Sequence, residues 1–181
     1  MSMYFLDETD DWPEYQTIRD EVHRLEREHL ELSRELEEME SGRAADFSTD
    51  DLAARIHDLR ARLKDVQRKL DEGKSEADRL KEINGAAAEY YHNLLFRSVG
   101  GQRTREYLVR RGVSEKTMRQ FLVGYSQDSW DSLRQELLKR GYHENELSAA
   151  GLLVEREREG SYDRFRNRLM FPIRDVAGRV V

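Results

Sequence analysis

Cysteine is absent from this chain of 181 residues, and no run of 18 apolar residues occurs in it. The first absence excludes disulfides and thiolate zinc sites, and it is usual in cytosolic proteins. The second absence excludes a hydrophobic membrane-spanning helix. The five histidines are scattered, and no cluster of serine, histidine and acidic side chains accompanies them. We therefore expect a cytoplasmic protein that has neither a membrane span nor a nucleophilic active site.

The first residues also lack the features of a targeting segment. Met1 to Leu6 are followed at once by acidic residues, with no basic region and no cleavage site, so they are not a signal peptide. The mean hydropathy is −0.89 and 38% of the residues are charged. A chain this polar does not fill one compact globule, and we expect part of it to be elongated with little interior.

The charge is divided unevenly along the chain. Residues 1–80 carry 13 Lys+Arg against 23 Asp+Glu, whereas residues 81–181 carry 18 against 14. Nucleic acid would repel the acidic half and attract the basic half. This split predicts two modules with different partners.

Two heptad patterns occupy the acidic half, and His29 interrupts the first of them. Pro13 suits a first helical turn, and the short segment between the patterns favours an antiparallel coiled-coil hairpin with helices at about 13–40 and 49–72 or longer. His29 sets the register rather than binding a metal, because no second His or Cys lies within one turn. The seam positions are Tyr15, Ile18, Val22, Leu25, His29, Leu32, Leu36 and Met39, and then Leu52, Ile56, Leu59, Leu63, Val66 and Leu70.

The hairpin loop has its own start and stop signals. Gly42 can end the first helix, Ser48 can cap the second, and Phe47 can pack onto Leu52. Three roles stay open for the hairpin: a spacer, a self-association arm, or a partner-binding element with its tip at residues 41–51.

The second half reads as helices followed by strands, which predicts an α+β subdomain over residues 79–181, after a hairpin domain over residues 1–78. Gly73 marks either a boundary or a point through which the second hairpin helix continues. We expect a helix to end at Gly100–Gly101, and Ser114 to cap a later one.

The end of the chain, Tyr162 to Val181, reads as strand, turn and returning strand. Arg164, Arg166 and Arg168 are spaced by two, so an extended strand would present them on one face. A row of arginines without acidic partners is a candidate surface for the phosphodiester backbone, although a solvated strand face is the commoner explanation.

Several collinear motifs resemble bacterial DnaG-type primases, in the segment where the N-terminal part of the RNA polymerase core meets its catalytic part. The similarity covers about residues 79–181. It runs through LKEIN, AAAEYYHNLL, REYLVRRG and FLVGYSQDSWD to YDRFRNRLMFPIRDVAGRVV. Residues 1–78 resemble no family that we recognise. The cysteine-rich zinc module usual in these primases cannot be formed by this chain.

The resemblance implies a shallow basic groove that holds single-stranded template weakly. The matching positions are Arg111, Arg164 and Arg166, each expected to contact a phosphate or a base. Trp130 matches a tryptophan beside that groove, and Arg168 is a weaker candidate. Stacking of a base on such a ring contributes roughly 1–3 kcal/mol.

Two assignments within this set stay open. Trp130 is equally compatible with core packing against Leu133 and Tyr125. Arg110 and Arg174 are interpreted as solvated or structural residues.

The resemblance also predicts what the chain lacks. Nucleotidyl transfer needs carboxylates that hold Mg²⁺, and in primases these lie in the Toprim half as Glu-Gly-Tyr and Asp-x-Asp steps. None occurs here, so we expect no metal or cofactor in this chain and no primer synthesis by it alone. The chain stops at Val181, inside a predicted hairpin, which suggests a designed truncation. The alternative is a non-catalytic adaptor that keeps a primase-like fold and binds no template.

Overall fold

The computed structural model describes residues 13–41, 48–156 and 160–181. The predicted helix stop at Gly42 and the packing of Phe47 onto Leu52 lie outside these residues. No helix in the described ranges is long and apolar enough to cross a membrane. The described elements, in chain order, are α1 (Pro13–Glu40), α2 (Thr49–Arg97), α3 (Val99–Arg110), α4 (Glu115–Gln120), β1 (Gly124–Ser126), α5 (Ser132–Lys139), α6 (Glu144–Ala149), β2 (Leu153–Arg156), β3 (Gly160–Asp163) and β4 (Arg168–Met170).

The chain divides into two units, one formed by Gln16–Ala77 and the other containing Asp78–Val181. The first is a helical hairpin, and the second combines helices with two small antiparallel sheets. The predicted α+β class, a coiled-coil hairpin followed by a mixed subdomain, is therefore confirmed. Helix α2 contributes residues to both units and runs through Gly73 without a break, which is the second of the two possibilities left open at that residue.

The hairpin is held by an apolar seam of heptad residues. Ion pairs cross between the helices at the surface, from Arg55 to Glu35 at 2.7 Å and from Arg60 to Glu40 at 2.7 Å. Lys74, later in α2 than Arg60, pairs with Glu26, which is earlier in α1 than Glu40, so the two helices run antiparallel. Exposed pairs of this kind add little stability, so burial of the seam is the main source of it. The buried seam residues are Leu25, Leu32, Leu59, Val66 and Leu70.

Helix α2 begins with the predicted cap. The Ser48 hydroxyl accepts a hydrogen bond from the Asp51 N–H at 3.2 Å and donates to the Asp51 carboxylate at 2.6 Å. The acidic residues in this first turn also face the positive end of the helix dipole. The start of α2 is thus fixed locally by sequence.

The break between α2 and α3 differs from the expectation that Gly100–Gly101 ends a helix. Helix α2 ends at Arg97, and Ser98 caps α3 by accepting from the Gly101 N–H. Both glycines therefore lie in the first turn of α3. A Cβ on Gly101 would approach the Leu94 carbonyl oxygen to 2.2 Å, so the glycine permits a close helix crossing where a helix stop was predicted.

Two separate sheets organise the end of the chain. β1 pairs antiparallel with β4, with Tyr125 opposite Leu169, and β2 pairs antiparallel with β3, with Val154 opposite Tyr162. An isolated bridge between Arg174 and Val180 closes the predicted C-terminal turn. Apolar residues of α2, α3, α4 and β1 form the core beside these sheets, namely Leu95, Leu108, Met118, Val123 and Tyr125.

Candidate nucleic-acid interface

The predicted arginine row does not exist as one strand face. β3 ends at Asp163 and β4 begins at Arg168, so the chain leaves one sheet and enters the other between these residues. Asn167 has a positive φ of 50°, and its N–H donates to the Gln127 carbonyl at 3.2 Å. This turn breaks the twofold alternation on which the prediction depended. Arg164, Arg166 and Arg168 therefore do not share a strand face.

The buried carboxylate of Asp163 fixes the end of β3, where the chain leaves that strand. Its side chain is 1% exposed, and its carboxylate accepts hydrogen bonds from the Leu133 N–H at 2.8 Å and the Arg134 N–H at 3.0 Å. Burial raises the pKa of Asp163, and these two hydrogen bonds oppose that rise. The carboxylate thus caps α5 from another element, which explains why the formal N-cap, Asp131, makes no capping bond of its own.

The backbone of Asp163 also positions Trp130. The Asp163 N–H donates to the Trp130 carbonyl at 2.7 Å, so the end of β3 is tied to the chain two residues before α5. The Trp130 ring meets the Tyr162 ring edge-on, with 5.3 Å between their centroids. Trp130 is 56% exposed, and of the two roles left open for it, core packing is excluded.

Two guanidinium groups lie over this pair of rings. Arg166 is 4.1 Å from the Trp130 centroid and 4.9 Å from that of Tyr162. Arg156 is 5.1 Å from Trp130 and 4.5 Å from Tyr162. All four distances fall within the range of cation–π attraction. We call Trp130, Tyr162, Arg156 and Arg166 the aromatic–arginine cluster.

The cluster holds its arginines in fixed places. Arg166 donates from Nη1 to the Asp163 carbonyl at 2.5 Å, which leaves most of its five N–H groups for other acceptors. A guanidinium that is held over a ring loses less conformational entropy when it binds an anion. The geometry therefore suits recognition of phosphate groups beside the exposed Trp130 ring.

The remaining predicted residues stand in different relations to the cluster. Arg164 is exposed, its backbone N–H donates to the Leu152 carbonyl at 2.9 Å, and its Nη2 approaches the Leu153 carbonyl at 3.4 Å. Arg168 is exposed at the start of β4, opposite Ser126. Arg111 follows α3, and its guanidinium lies over Tyr107 at 5.3 Å. The structure thus joins Trp130 directly to Arg166 alone among the predicted residues.

Arg156 and Tyr162 were not predicted as site residues. They share one face of the β2–β3 hairpin, because Tyr162 pairs with Val154 and Arg156 lies two residues beyond Val154. A sequence signal existed in the short strands that flank the charged residues 157–159. Pairing those strands in register would have placed Arg156 beside Tyr162.

The opposite face of the same hairpin is fixed by a polar network. Arg134 donates to the Glu144 carboxylate at 2.9 Å, and the Ser161 hydroxyl donates to the same carboxylate. The Arg134 hydrogen bond is the main reason why the pKa of Glu144 lies below its usual value. This network ties β3 to α5 and α6, so that the cluster is built on supported backbone.

No metal site is found in the described part of the chain. Within residues 13–41, 48–156 and 160–181, no group of three or more His, Asp or Glu side chains is arranged to hold a metal ion. The described residues therefore do not fit the Mg²⁺ site of a nucleotidyl transferase.

Comparison with known proteins decides the family. The model of the N-terminal domain of the DNA primase catalytic core matches residues 90–181. The chain belongs to this primase family. The resemblance predicted from the sequence is confirmed, and Asp78–Val181 is called the primase unit from here on.

Curated relatives agree with this assignment. The DNA primase of Clostridium acetobutylicum is 39% identical over 111 residues, which make up 61% of this chain and 18% of that protein. The DNA primase of Deinococcus radiodurans is 42% identical over 110 residues, again 18% of its length. The chain thus spans about a fifth of the relatives that it matches.

Solved structures give the same result. The RNA polymerase domain of Mycobacterium tuberculosis DnaG, in complex with double-stranded DNA that has a 6-nucleotide overhang, aligns with a TM-score of 0.54 and 40% identity. That alignment covers 57% of this chain and 32% of the other. A DnaG catalytic domain bound to single-stranded DNA aligns with a TM-score of 0.52 and 34% identity, over 59% and 34% of the two chains.

Proposed function

We propose that the primase unit holds single-stranded template DNA on the aromatic–arginine cluster and passes it toward a catalytic centre that this unit does not itself form. The observation that carries the proposal is an exposed Trp130 whose ring packs on Tyr162 and under Arg166. Membership of the primase family, and the single-stranded DNA in a related solved structure, support this ligand class.

In the proposed binding mode, arginine side chains contact the phosphates of the template. Arg166 covers the Trp130 ring and Arg164 is exposed two residues before Arg166, so these two guanidiniums are available to neighbouring phosphates. Arg111 and Arg168 are the further phosphate contacts that the family resemblance suggests. A base stacks on the part of Trp130 that stays exposed beside the guanidinium groups.

The Mg²⁺ of primer synthesis belongs, in this proposal, to the Toprim half of the family and not to the described residues. The primase unit then contributes binding and orientation of the template, in the cytoplasm, and no step of phosphoryl transfer. The hairpin supplies a protein contact, either to a second copy or to another protein, because its helices bury their own seam and carry a charged outer surface.

A salt titration of binding to labelled oligo(dT) tests the proposal. The logarithm of affinity should fall linearly with the logarithm of salt concentration, by about 0.7 for each phosphate neutralised. Arg166→Ala and Arg164→Ala should each lower that slope by about 0.7, whereas Arg174→Ala, an exposed arginine bonded to the Gly178 carbonyl, should leave it unchanged.

The outcomes separate the two functions considered. Reduced slopes for the two cluster-side variants, and not for Arg174→Ala, support template binding. If the wild-type chain shows no binding even at low salt, the chain is an adaptor with a primase fold and the proposal fails.

A further inference from the structure

A groove on the hairpin unit is lined by both of its helices. Its volume is about 550 Å³, and its lining includes His29 and Leu36 of α1 and Leu63 of α2. Both leucines pack against the buried seam but keep part of their surface exposed. The groove is therefore an apolar strip with charged rims, which suits another helix.

Ion pairs between α1 and α2 lie at one end of this strip, where Arg60 lines it, and beyond its other end. Arg60 pairs with Glu40 at 2.7 Å, and Lys74 pairs with Glu26 at 2.9 Å. These pairs use charges toward the two ends. Between them on α2, Asp65, Arg68, Lys69 and Glu72 pair with one another, whereas two charges that line the groove make no ion pair with the described residues.

Lys64 and Asp71 are the charges in question. Both line the groove, and they are seven residues apart, which is two turns or roughly 10 Å along one face of α2. Within the described residues Lys64 has no carboxylate partner. Asp71 accepts only a hydrogen bond from Gln67, at 2.8 Å, and pairs with no cation of the described ranges. A positive end and a negative end thus follow one another along a single helix face.

This order of charges is self-complementary. When a helix with a cation followed by an acid meets a copy of itself running antiparallel, each cation faces the acid of the other copy, and a twofold axis repeats the contact. The axis would pass between Gln67 and Arg68, since Lys64 and Asp71 are equally distant from that point.

We infer that a second copy of this chain docks antiparallel into the groove, with Lys64 of one copy opposite Asp71 of the other. The inference deepens the proposed protein contact of the hairpin by naming its partner. Each copy covers the exposed parts of Leu36 and Leu63 in the other. The two equivalent ion pairs select the register, and apolar burial contributes most of the affinity.

Charge reversal of the full chain tests this arrangement by sedimentation equilibrium over a range of protein concentrations. The wild type should form a dimer. Lys64→Glu alone and Asp71→Lys alone should each weaken self-association by about tenfold or more, because two attractive pairs become two repulsive ones. Arg62→Glu is the matched control, since Arg62 lies about 200° around the helix from Lys64 and does not line the groove.

Mixing the two weakened variants is the decisive part of this charge-reversal experiment. An equimolar mixture of Lys64→Glu and Asp71→Lys restores opposite charges in both pairs and should give a 1:1 heterodimer with near wild-type affinity, resolved by native mass spectrometry. Helical circular dichroism of each variant checks that the hairpin is folded. Recovery of the dimer only on mixing supports the inference.

Two results would overturn it. One is a wild-type chain that stays monomeric up to about 1 mM, the range of the weakest specific contacts. The other is a mixture that behaves like the separate variants. Oligo(dT) binding measured on the same samples keeps the two proposals apart, because template binding by the primase unit does not depend on these charges.

Discussion

At the scale of single residues, the proposed template binding depends on how the exposed Trp130 ring positions its neighbours. The Trp130 ring contacts Tyr162 and lies under Arg156 and Arg166, so it orders two cations as well as offering a stacking surface. Loss of the ring removes both contributions at once. Substitution by another aromatic keeps much of each.

Trp130→Ala should therefore weaken oligo(dT) binding by roughly 1–3 kcal/mol, or about five- to 150-fold, and Trp130→Phe should recover most of that loss. Fluorescence anisotropy of a labelled oligonucleotide measures both. Phe121→Ala is the matched control, since Phe121 is 57% exposed, much as Trp130 is, but follows α4. Equal losses in the Phe121 and Trp130 variants would show that the effect is not specific to the cluster.

The residues of this site were only partly predictable from sequence. Arg166 and Trp130 could be proposed because both lie in motifs that resemble the primases. Arg156 could not, because its role depends on the register that sets Val154 opposite Tyr162. Cross-strand pairing is a tertiary property, and spacing along one strand does not reveal it.

At the scale of elements, the same site depends on one buried carboxylate that joins a strand end to a helix start. Asp163 accepts from two backbone N–H groups at the beginning of α5. An amide at this position accepts one of those bonds and presents its own N–H₂ to the other donor. The sequence does not reveal this role of Asp163, because a cap supplied from 30 residues away leaves no local signal.

Asp163→Asn should lower the free energy of unfolding by about 1–3 kcal/mol at neutral pH, the cost of leaving a buried donor unsatisfied. Urea denaturation followed by circular dichroism gives this value. Asp131→Asn should change it little, because Asp131 makes no capping bond. An Asp163 variant as stable as the wild type would show that the carboxylate does not fix α5.

The hairpin helices were predictable because a heptad pattern is local and repeated. Strand ends were not, because Arg164 to Asn167 continue an alternating pattern while the positive φ of Asn167 turns the chain into another sheet. The prediction that Gly100 and Gly101 end a helix was wrong for a related reason. Glycine permits both a helix stop and a close crossing, and only the contact with the Leu94 and Leu95 carbonyls distinguishes them.

The buried seam of the hairpin leads to a separate prediction about stability. Leu59 is fully buried, so Leu59→Ala should cost about 2–5 kcal/mol of hairpin stability through lost burial and a residual cavity. Leu30 is 52% exposed on the same unit, and Leu30→Ala should change stability by less than about 0.5 kcal/mol. Thermal unfolding of the two variants side by side measures the difference. Similar melting curves would contradict the assigned seam.

At the scale of the whole molecule, charge separates the two kinds of contact. The acidic first half and the basic second half were evident from the sequence, and the net charge of −6 conceals them. For this reason we assign the proposed nucleic-acid binding to the primase unit and the proposed protein contact to the hairpin. What composition did not predict is where on the primase unit the cations gather around exposed rings.

Intrinsic fluorescence tests the central claim most directly. The chain has two tryptophans, so Trp12→Phe leaves Trp130 as the sole reporter. Addition of oligo(dT) at low salt should change the emission of Trp130 saturably, and added salt should reverse the change, because the strand contacts the ring and the arginines above it. Oligonucleotide binding detected by anisotropy without any change in Trp130 emission would place the template elsewhere and contradict the account.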